Sequence, residues 1–250
     1  MSSTVATNTS RFAADLRDST SPSRKLRDKL FLTGLWVATL IGVLTLFFLV
    51  LSTLLKGYTR LNLSLITNFP SPFPEDAGIQ AAIFGSIWVV VTSGVVSLFI
   101  ALGSAIYLEE FASQSSRFNR LISINIQTLA GVPSIVFGIL GLAFVARGWL
   151  GWGFTVGTAS AVLTMMVLPV MIVSAREALK AVPSSLREGS YALGATKWQA
   201  ISKQVLPAAI PGIATGSILG VSRALGESAP LILLGALAYV SSNPSGLSSD

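Results

Sequence analysis

Long runs without a charged residue dominate the hydrophobic pattern of this chain. Five of them are long enough to cross about 30 Å of bilayer hydrocarbon as helices, which rise about 1.5 Å per residue. We therefore predict spans at about residues 30–55, 83–108, 121–146, 156–175 and 205–225. A later apolar run at 231–240 is too short to cross a bilayer as a helix, so it predicts a short outer or re-entrant helix at about residues 228–240.

The basic residues between these runs set an orientation, because Lys and Arg near span ends stay in the cytoplasm. With the amino terminus inside, thirteen Lys and Arg fall on the cytoplasmic side and three fall outside. The pattern predicts an all-α, multi-pass plasma-membrane protein. Residues 1–29 would form a flexible cytoplasmic tail and residues 30–250 a transmembrane domain with an inner loop at 176–204.

The composition agrees with a membrane protein and weakens other classes of function. Of 250 residues, 52% are hydrophobic and 11% are charged, whereas about a quarter are charged in a soluble domain. The chain has no Cys and no His, which removes the usual zinc ligands and the commonest general base. We therefore expect no enzyme activity, no catalytic residue and no metal site. The net charge of +6 is spread over short loops, which favours topology over nucleic-acid binding.

Two capping-box patterns lie in the inner loop, Ser185 with Glu188 and Thr196 with Gln199. In each, a hydroxyl and a side-chain oxygen three residues later would satisfy the other residue's backbone donor. Gly194 lies between them and can take the positive φ that ends a helix. The pattern predicts a helix, a tight turn and a second helix. One face of the second helix would carry three apolar side chains: Trp198, Ile201 and Val205.

The loop either docks a partner or lies as an amphipathic linker on the lipid surface. Its spacing resembles the EAA loop of ABC-transporter permeases, Glu-Ala-Ala-x3-Gly-x9-Ile-x-Leu-Pro, although Gly189, Ser190 and Gln204 depart from it. The resemblance implies a coupling helix that inserts into a separate ATPase chain. ATP and Mg²⁺ would bind there, with no cofactor on this chain, which has no Gly-x4-Gly-Lys-Ser/Thr sequence. The implied coupling residues are Glu188, Gly194, Ala195, Trp198, Leu206 and Pro207.

Arg223 and Glu227 are the candidate substrate-pathway residues. They are four residues apart, and an Arg within hydrocarbon costs about 2.5–3.5 kcal/mol on insertion scales. Either they form a structural ion pair that locks the helix, or Arg223 offers its planar fork to a tetrahedral oxyanion while Glu227 holds it when no anion is present. Prolines within spans free backbone carbonyls and predict kinks. These prolines are Pro133, Pro169 and Pro211.

Three further segments, at residues 70–79, 131–138 and 223–235, resemble the PstA-type permease subunits of phosphate ABC importers. The resemblance covers about residues 30–240. It implies a MetI-like type I importer bundle in a bacterial inner membrane that moves inorganic phosphate inward. It also implies four partners: a PstC-like permease subunit, a PstB-like ATPase dimer, a PstS-like periplasmic phosphate-binding protein and membrane lipid.

Two other functions remain open from the sequence. The solute can be another oxyanion, such as molybdate or phosphonate. PstA-like chains also continue into a sixth helix, whereas this sequence stops at Asp250 in a polar stretch. We therefore expect a truncated chain without the sixth span, which leaves a non-transporting membrane scaffold as the third alternative.

Overall fold

The computed structural model describes residues 22–73, 75–113, 116–235, 240 and 242–249, and within them every regular element is helical. The predicted tail falls mostly on residues 1–21, outside the described residues. The helices are α1 (Pro22–Gly57), α2 (Leu63–Thr67), α3 (Gln80–Ile106), α4 (Arg117–Ala130), α5 (Ser134–Leu140), α6 (Val156–Lys180), α7 (Ser184–Ala192), α8 (Lys197–Ala200), α9 (Leu206–Gly226) and α10 (Ala229–Leu233). Three π-helical segments extend them: Tyr107–Phe111 after α3, Gly141–Ala146 after α5 and Ile201–Val205 between α8 and α9.

Four helical stretches of the described chain are long and apolar enough to cross a membrane, and the bent α4–α5 pair would make a fifth. These numbers fit the all-α permease class predicted from the sequence. The four stretches are Ser23–Arg60, Gln80–Phe111, Val156–Lys180 and Lys197–Gly226.

The first helix, α1, belongs to the first of two structural units, which ends at residue 62. Its 36 residues make a rod of about 54 Å, and its described side chains are exposed. The hydroxyls of Thr39, Thr45 and Thr53 donate to the carbonyls four residues earlier at 2.8–2.9 Å. Because these bonds satisfy the hydroxyls inside the helix, residues 30–55 of α1 present an apolar surface all round, as a lipid-exposed span must.

The second unit, residues 63–250, is organised around α6. This helix packs against α3, α4, α5 and α9, and it holds many of the most deeply buried side chains of the described chain. The apolar members of its core are Val162, Leu163, Met166, Val167, Met171 and Ile172. A helix buried on most of its circumference can be apolar throughout, which is why the sequence shows no polar stripe here.

Three glycines on α9 form a seam against α6. A Cβ atom built on Gly212 would lie 2.8 Å from Ala178 Cβ, one on Gly216 2.5 Å from Ser174 Cβ, and one on Gly220 2.6 Å from Met171 Cγ. These distances are shorter than real Cβ contacts, so only glycine permits so close an approach of the two backbones. The seam also shows that α9 and α6 run antiparallel.

The third predicted span is broken rather than straight. Helices α4 and α5 meet at 103° across residues 131–133, and Pro133 lies at the break with extended backbone. A proline disfavours helical backbone in the residue before it, which explains the position of the break. Helices α6 and α9, in contrast, continue across Pro169 and Pro211. The short helix expected at 228–240 is α10, which ends at Leu233; residues 236–239 lie outside the described residues.

Candidate functional site

The loop between α6 and α9 folds as a helix, a tight turn and a second helix, as predicted. At the turn, Gly194 has φ +81°, and the amide of Ala195 donates to the carbonyl of Ser190 (3.1 Å) while that of Gly194 donates to Tyr191 (2.9 Å). This pair of bonds is a Schellman motif, which ends α7 and satisfies two of its free carbonyls. The backbone is therefore fixed at the point where the chain reverses.

One of the two predicted capping boxes is present. The Thr196 hydroxyl accepts from the Gln199 amide (3.3 Å), and the Thr196 amide donates to Gln199 Oε1 (2.8 Å). The box predicted at Ser185 is wrong. Helix α7 begins at Ser184 behind Pro183, whose fixed φ already sets the helix start, so Ser185 lies inside the first turn and caps nothing.

The predicted apolar face of the second helix is also partly wrong. Ile201 and Val205 are buried, but the Trp198 residue is 58% exposed. The π-helical segment Ile201–Val205 follows α8, and its wider turn shifts the faces before and after it relative to each other. Trp198 therefore belongs to the outer surface of the loop rather than to its packed side.

The outer surface of α7, the turn and α8 will be called the knob. Four large apolar side chains are exposed on it: Leu186, Tyr191, Leu193 and Trp198. Of these, only Trp198 was a candidate residue from the sequence. Of the predicted coupling residues, Glu188 and Gly194 are exposed there as well, and Ala195 is half-buried. Leu206 and Pro207 lie instead at the start of α9. An apolar patch with a polar rim on a rigid element is typical of a protein–protein docking surface.

A buried ion pair ties the knob to the end of α3. Arg187 in α7 donates to the Glu110 carboxylate, with Nη2 2.6 Å and Nε 3.1 Å from Oε1, and the side chains are 21% and 6% exposed. The same guanidinium donates to the carbonyls of Leu179 (3.0 Å) and Val182 (2.9 Å). One side chain thus joins α7, the chain after α6 and the π segment that ends α3.

Two further contacts strengthen the same junction. Arg176 of α6 pairs with Glu109 (3.5 Å) and donates to the Ser123 hydroxyl of α4 (3.0 Å). Lys197 places its ammonium 5.1 Å from the centre of the Phe111 ring, a cation–π contact. Consecutive residues of one π segment therefore hold both α6 and the knob. In the sequence, Arg176 and Arg187 contribute only to the cytoplasmic charge count; the available signal for these ion pairs was the two adjacent acids, Glu109 and Glu110, beside basic segments.

The structure does not bring Arg223 and Glu227 together. Helix α9 ends at Gly226, and Glu227 has extended backbone (φ −97°, ψ 109°), so the helix does not continue far enough for the four-residue spacing to place both side chains on one helical face. Among the described residues no ion pair joins them. Arg223 is exposed on α9 in the single chain. Because Gly220 meets Met171, Arg223 lies near the level of Leu168, about halfway along α6.

An apolar groove of about 690 Å³ is lined by α3, α6 and the segment around α10. Its walls include Gly85, Val89, Phe154, Leu163 and Leu231, and no charged residue lines it. An anion in this groove would be desolvated without compensation, so the groove is not an anion site. In the described part of the chain, no three His, Cys, Asp or Glu side chains are placed to share a metal ion.

Comparisons with known proteins point in one direction. Residues 97–245 match the family described as the binding-protein-dependent transport system inner membrane component. The chain is 31% identical over 217 residues to the probable ABC transporter permease protein YqgI of Bacillus subtilis, which covers 86% of this chain and 72% of YqgI. It is 32% identical over 215 residues to the phosphate transport system permease protein PstA of Yersinia pestis (84% and 70%), and 30% over 218 residues to PstA 1 of Mycobacterium tuberculosis H37Rv (84% and 69%).

A similar fold occurs in a solved structure of the MetNI methionine ABC transporter in inward-facing conformations. The TM-score is 0.55 at 22% identity, over 64% of this chain and 76% of that one. At this identity the likeness concerns the fold alone.

Proposed function

The chain belongs to the family of binding-protein-dependent transport system inner membrane components, and from this premise we propose that it is the permease subunit of an ABC importer that carries inorganic phosphate into the cytoplasm. It is a multi-pass inner-membrane protein and a subunit of a transporter. Membership of the family implies an ATPase partner and a substrate-binding protein. The finer assignments, a PstC-like second permease, a PstB-like ATPase dimer and a PstS-like binding protein, are part of the proposal.

The observation that carries the coupling role is the buried attachment of the knob to the helix ends. A loop that moved freely would dissipate the motion of a closing ATPase before the motion reached the spans. Arg187 instead donates to Glu110, after α3, and to two carbonyls, one in the last turn of α6 and one just after it. These bonds fix the knob to the ends of both helices. We infer that ATP and Mg²⁺ bind to the partner and that the knob, with Trp198 and Leu193 at its surface, inserts into that partner from the cytoplasm.

The choice of solute rests on the relatives and on Arg223. Two of the relatives reported above are named phosphate transport system permease proteins. Arg223 supplies a charge midway along the bundle that no ion pair among the described residues neutralises. A guanidinium presents several N–H donors in a plane and matches the oxygen edge of a phosphate. We propose that Arg223 contacts the anion during transport; Glu227, which is half-buried in the loop after α9, is a second pathway candidate but not a clamp on Arg223.

The experiment is phosphate uptake by proteoliposomes that contain the whole complex with its binding protein. We expect R223Q to lower uptake of radiolabelled phosphate about tenfold or more, because a charge-assisted hydrogen bond is worth about 1.5–3 kcal/mol. Arg117, exposed at the start of α4, provides the matched control, and R117Q should leave uptake within about twofold, as expected for an exposed residue.

Two results would contradict the proposal. Uptake in R223Q equal to the unsubstituted complex would remove Arg223 from the pathway. Molybdate or phosphonate uptake that exceeds phosphate uptake in the unsubstituted complex would assign the permease to another oxyanion.

A further inference from the structure

A second cavity, of about 210 Å³, opens between the start of α4 and the end of α6. It is several times larger than the roughly 30 Å³ that a water molecule occupies in the liquid, so it admits a tetrahedral oxyanion with part of its hydration shell. In contrast to the apolar groove, its walls are mostly polar. The side chains that matter are Asn119, Arg120, Ser123, Arg176, Glu177 and Lys180.

The charges around this cavity are unequal. Three basic side chains line it, Arg120, Arg176 and Lys180, against one acidic side chain, Glu177. Lys180 lies 3.2 Å from Glu177, but both are largely exposed, so the neutralisation is weak. Even with Glu109, which pairs with Arg176 from outside the lining, the balance stays positive. Among the described residues, Arg120 has no ion-pair partner.

The wall of the cavity also contains a buried donor that is unsatisfied. Arg176 has 13% of its side chain exposed, and its Nη1 and Nη2 atoms donate to Ser123 and Glu109. Its Nε atom is buried and has no hydrogen-bond partner within the described residues. A buried donor left unpaired costs about 1–3 kcal/mol, so an acceptor that reached Nε would recover that energy. The position of the cavity beside the amino end of the 14-residue α4 adds a field that favours an anion.

Asn119 adds a buried acceptor to the same wall. Its Nδ2 donates to the Ser113 carbonyl (2.9 Å), which fixes the orientation of the amide, and its Oδ1 is buried without a partner in the described chain. A bare oxyanion such as sulfate offers no proton to this oxygen. Hydrogen phosphate carries a P–O–H group, which can donate to Oδ1 while the other oxygens accept from the basic side chains.

We propose that this cavity is a second oxyanion site, selective for a phosphate group that carries a proton and separate from Arg223. By the antiparallel register of α9 on α6, Arg223 lies near Leu168, whereas Arg176 and Lys180 lie two to three turns nearer the knob, roughly 12–18 Å away. The assignment of the site to the cytoplasmic side rests on the proposed function. The chemistry of the ligand rests on the cavity alone. The ligand is either free inorganic phosphate or the phosphomonoester headgroup of a lipid.

The test is equilibrium binding of radiolabelled inorganic phosphate to the membrane complex in nanodiscs, without its phosphate-binding protein, in an R223Q background that removes the pathway contact. R120Q is the informative variant because Arg120 is exposed, so its replacement should leave the fold undisturbed. R117Q, three residues earlier on the same helix, removes the same charge outside the cavity lining. We expect R120Q to weaken phosphate binding about tenfold, the loss of one charge-assisted bond, and R117Q to leave it within about twofold.

The two sources of the phosphate group are separated by the composition of the nanodiscs. Saturable binding in phosphatidylcholine discs that persists when phosphatidic acid is added supports free phosphate as the ligand. Phosphatidic acid that displaces phosphate from the R223Q complex, but has no effect on the R223Q/R120Q complex, supports the lipid headgroup. Excess sulfate should compete poorly with phosphate, because it cannot donate to Asn119.

Three results would overturn the inference: no saturable binding in R223Q, equal binding by R120Q and R117Q, or sulfate competition as strong as that of phosphate. None of these depends on transport. A complex that fails to take up phosphate but shows binding dependent on Arg120 would refute the proposed function and leave this site standing. Normal phosphate uptake without any binding that depends on Arg120 would refute this site and leave the proposed function standing.

Discussion

The knob end and the middle of the central bundle differ in how their charged residues are paired. Near the knob, Glu109, Glu110, Arg176 and Arg187 are largely buried and paired with one another across different helices. Midway along α6, Arg223 stands without an ion pair among the described residues. Because a charge in a membrane protein is expensive, it persists either where a partner neutralises it or where a function requires it free. We propose mechanical attachment as the role of the first group and passage of an anion as the role of Arg223.

Removal of the Glu110 charge should break the attachment of the knob to the end of α3 and cause the largest loss of stability. In E110Q the Arg187 guanidinium stays buried without its counter-ion, and loss of one partner of a buried pair costs about 3–5 kcal/mol. We expect the free energy of unfolding, measured by denaturant titration in detergent micelles, to fall by about 3 kcal/mol. The control is E177Q, which breaks the exposed pair with Lys180 and should cost at most about 1 kcal/mol. Equal losses in the two variants would contradict a buried anchor.

A change at the turn should loosen the knob without touching its anchor. Gly194 has φ +81°, where a residue with a Cβ pays roughly 1–2 kcal/mol, so G194V should distort the turn between α7 and α8. We expect ATP hydrolysis by the reconstituted complex to continue while phosphate uptake per ATP falls. G189A is matched to it, since Gly189 lies inside α7 with open space around it. Unchanged coupling in G194V would count against a rigid knob.

Substitutions at Thr196 and Ser185 test the two predicted helix caps of the loop, with smaller expected effects. Thr196 caps α8, so T196A should lower the free energy of unfolding by about 1 kcal/mol, the usual cost of a lost cap. Ser185 caps nothing, and S185A should change the same quantity by no more than about 0.5 kcal/mol, as for other exposed positions. A denaturant titration of the two variants side by side measures the difference. An equal loss in both would restore the capping box at Ser185.

The smallest effect on stability should come from the residue with the largest effect on transport. R223Q removes a charge that has no ion pair in the described chain, so the free energy of unfolding should change by less than about 0.5 kcal/mol. The same titration used for E110Q measures it. A loss comparable to that of E110Q would mean that Arg223 is structural, and the contrast between the knob end and the middle of the bundle would disappear.

Sequence reasoning succeeded where a property depends on neighbours along the chain. The predicted reversal at Gly194 and the cap at Thr196 are confirmed, because a positive φ and a capping box are set within a few residues. The capping box predicted at Ser185 is absent, since Pro183 occupies the N-cap position and α7 already begins at Ser184. The end of α9 at Gly226 was missed for a related reason: a spacing of four residues says nothing about whether the helix continues.

By itself the sequence determined the class of this protein: charge-free runs of spanning length, short basic loops and a helix–turn–helix knob. These features follow from hydropathy and from local backbone preferences. Only the tertiary structure decided which charges meet. Arg187 and Glu110 are 77 residues apart, and Arg176 and Glu109 are 67 apart, so no local pattern links them. Packing around α6 brings those helix ends together, and it leaves Arg223 without such a partner in the described chain, because burial and pairing depend on which helices become neighbours.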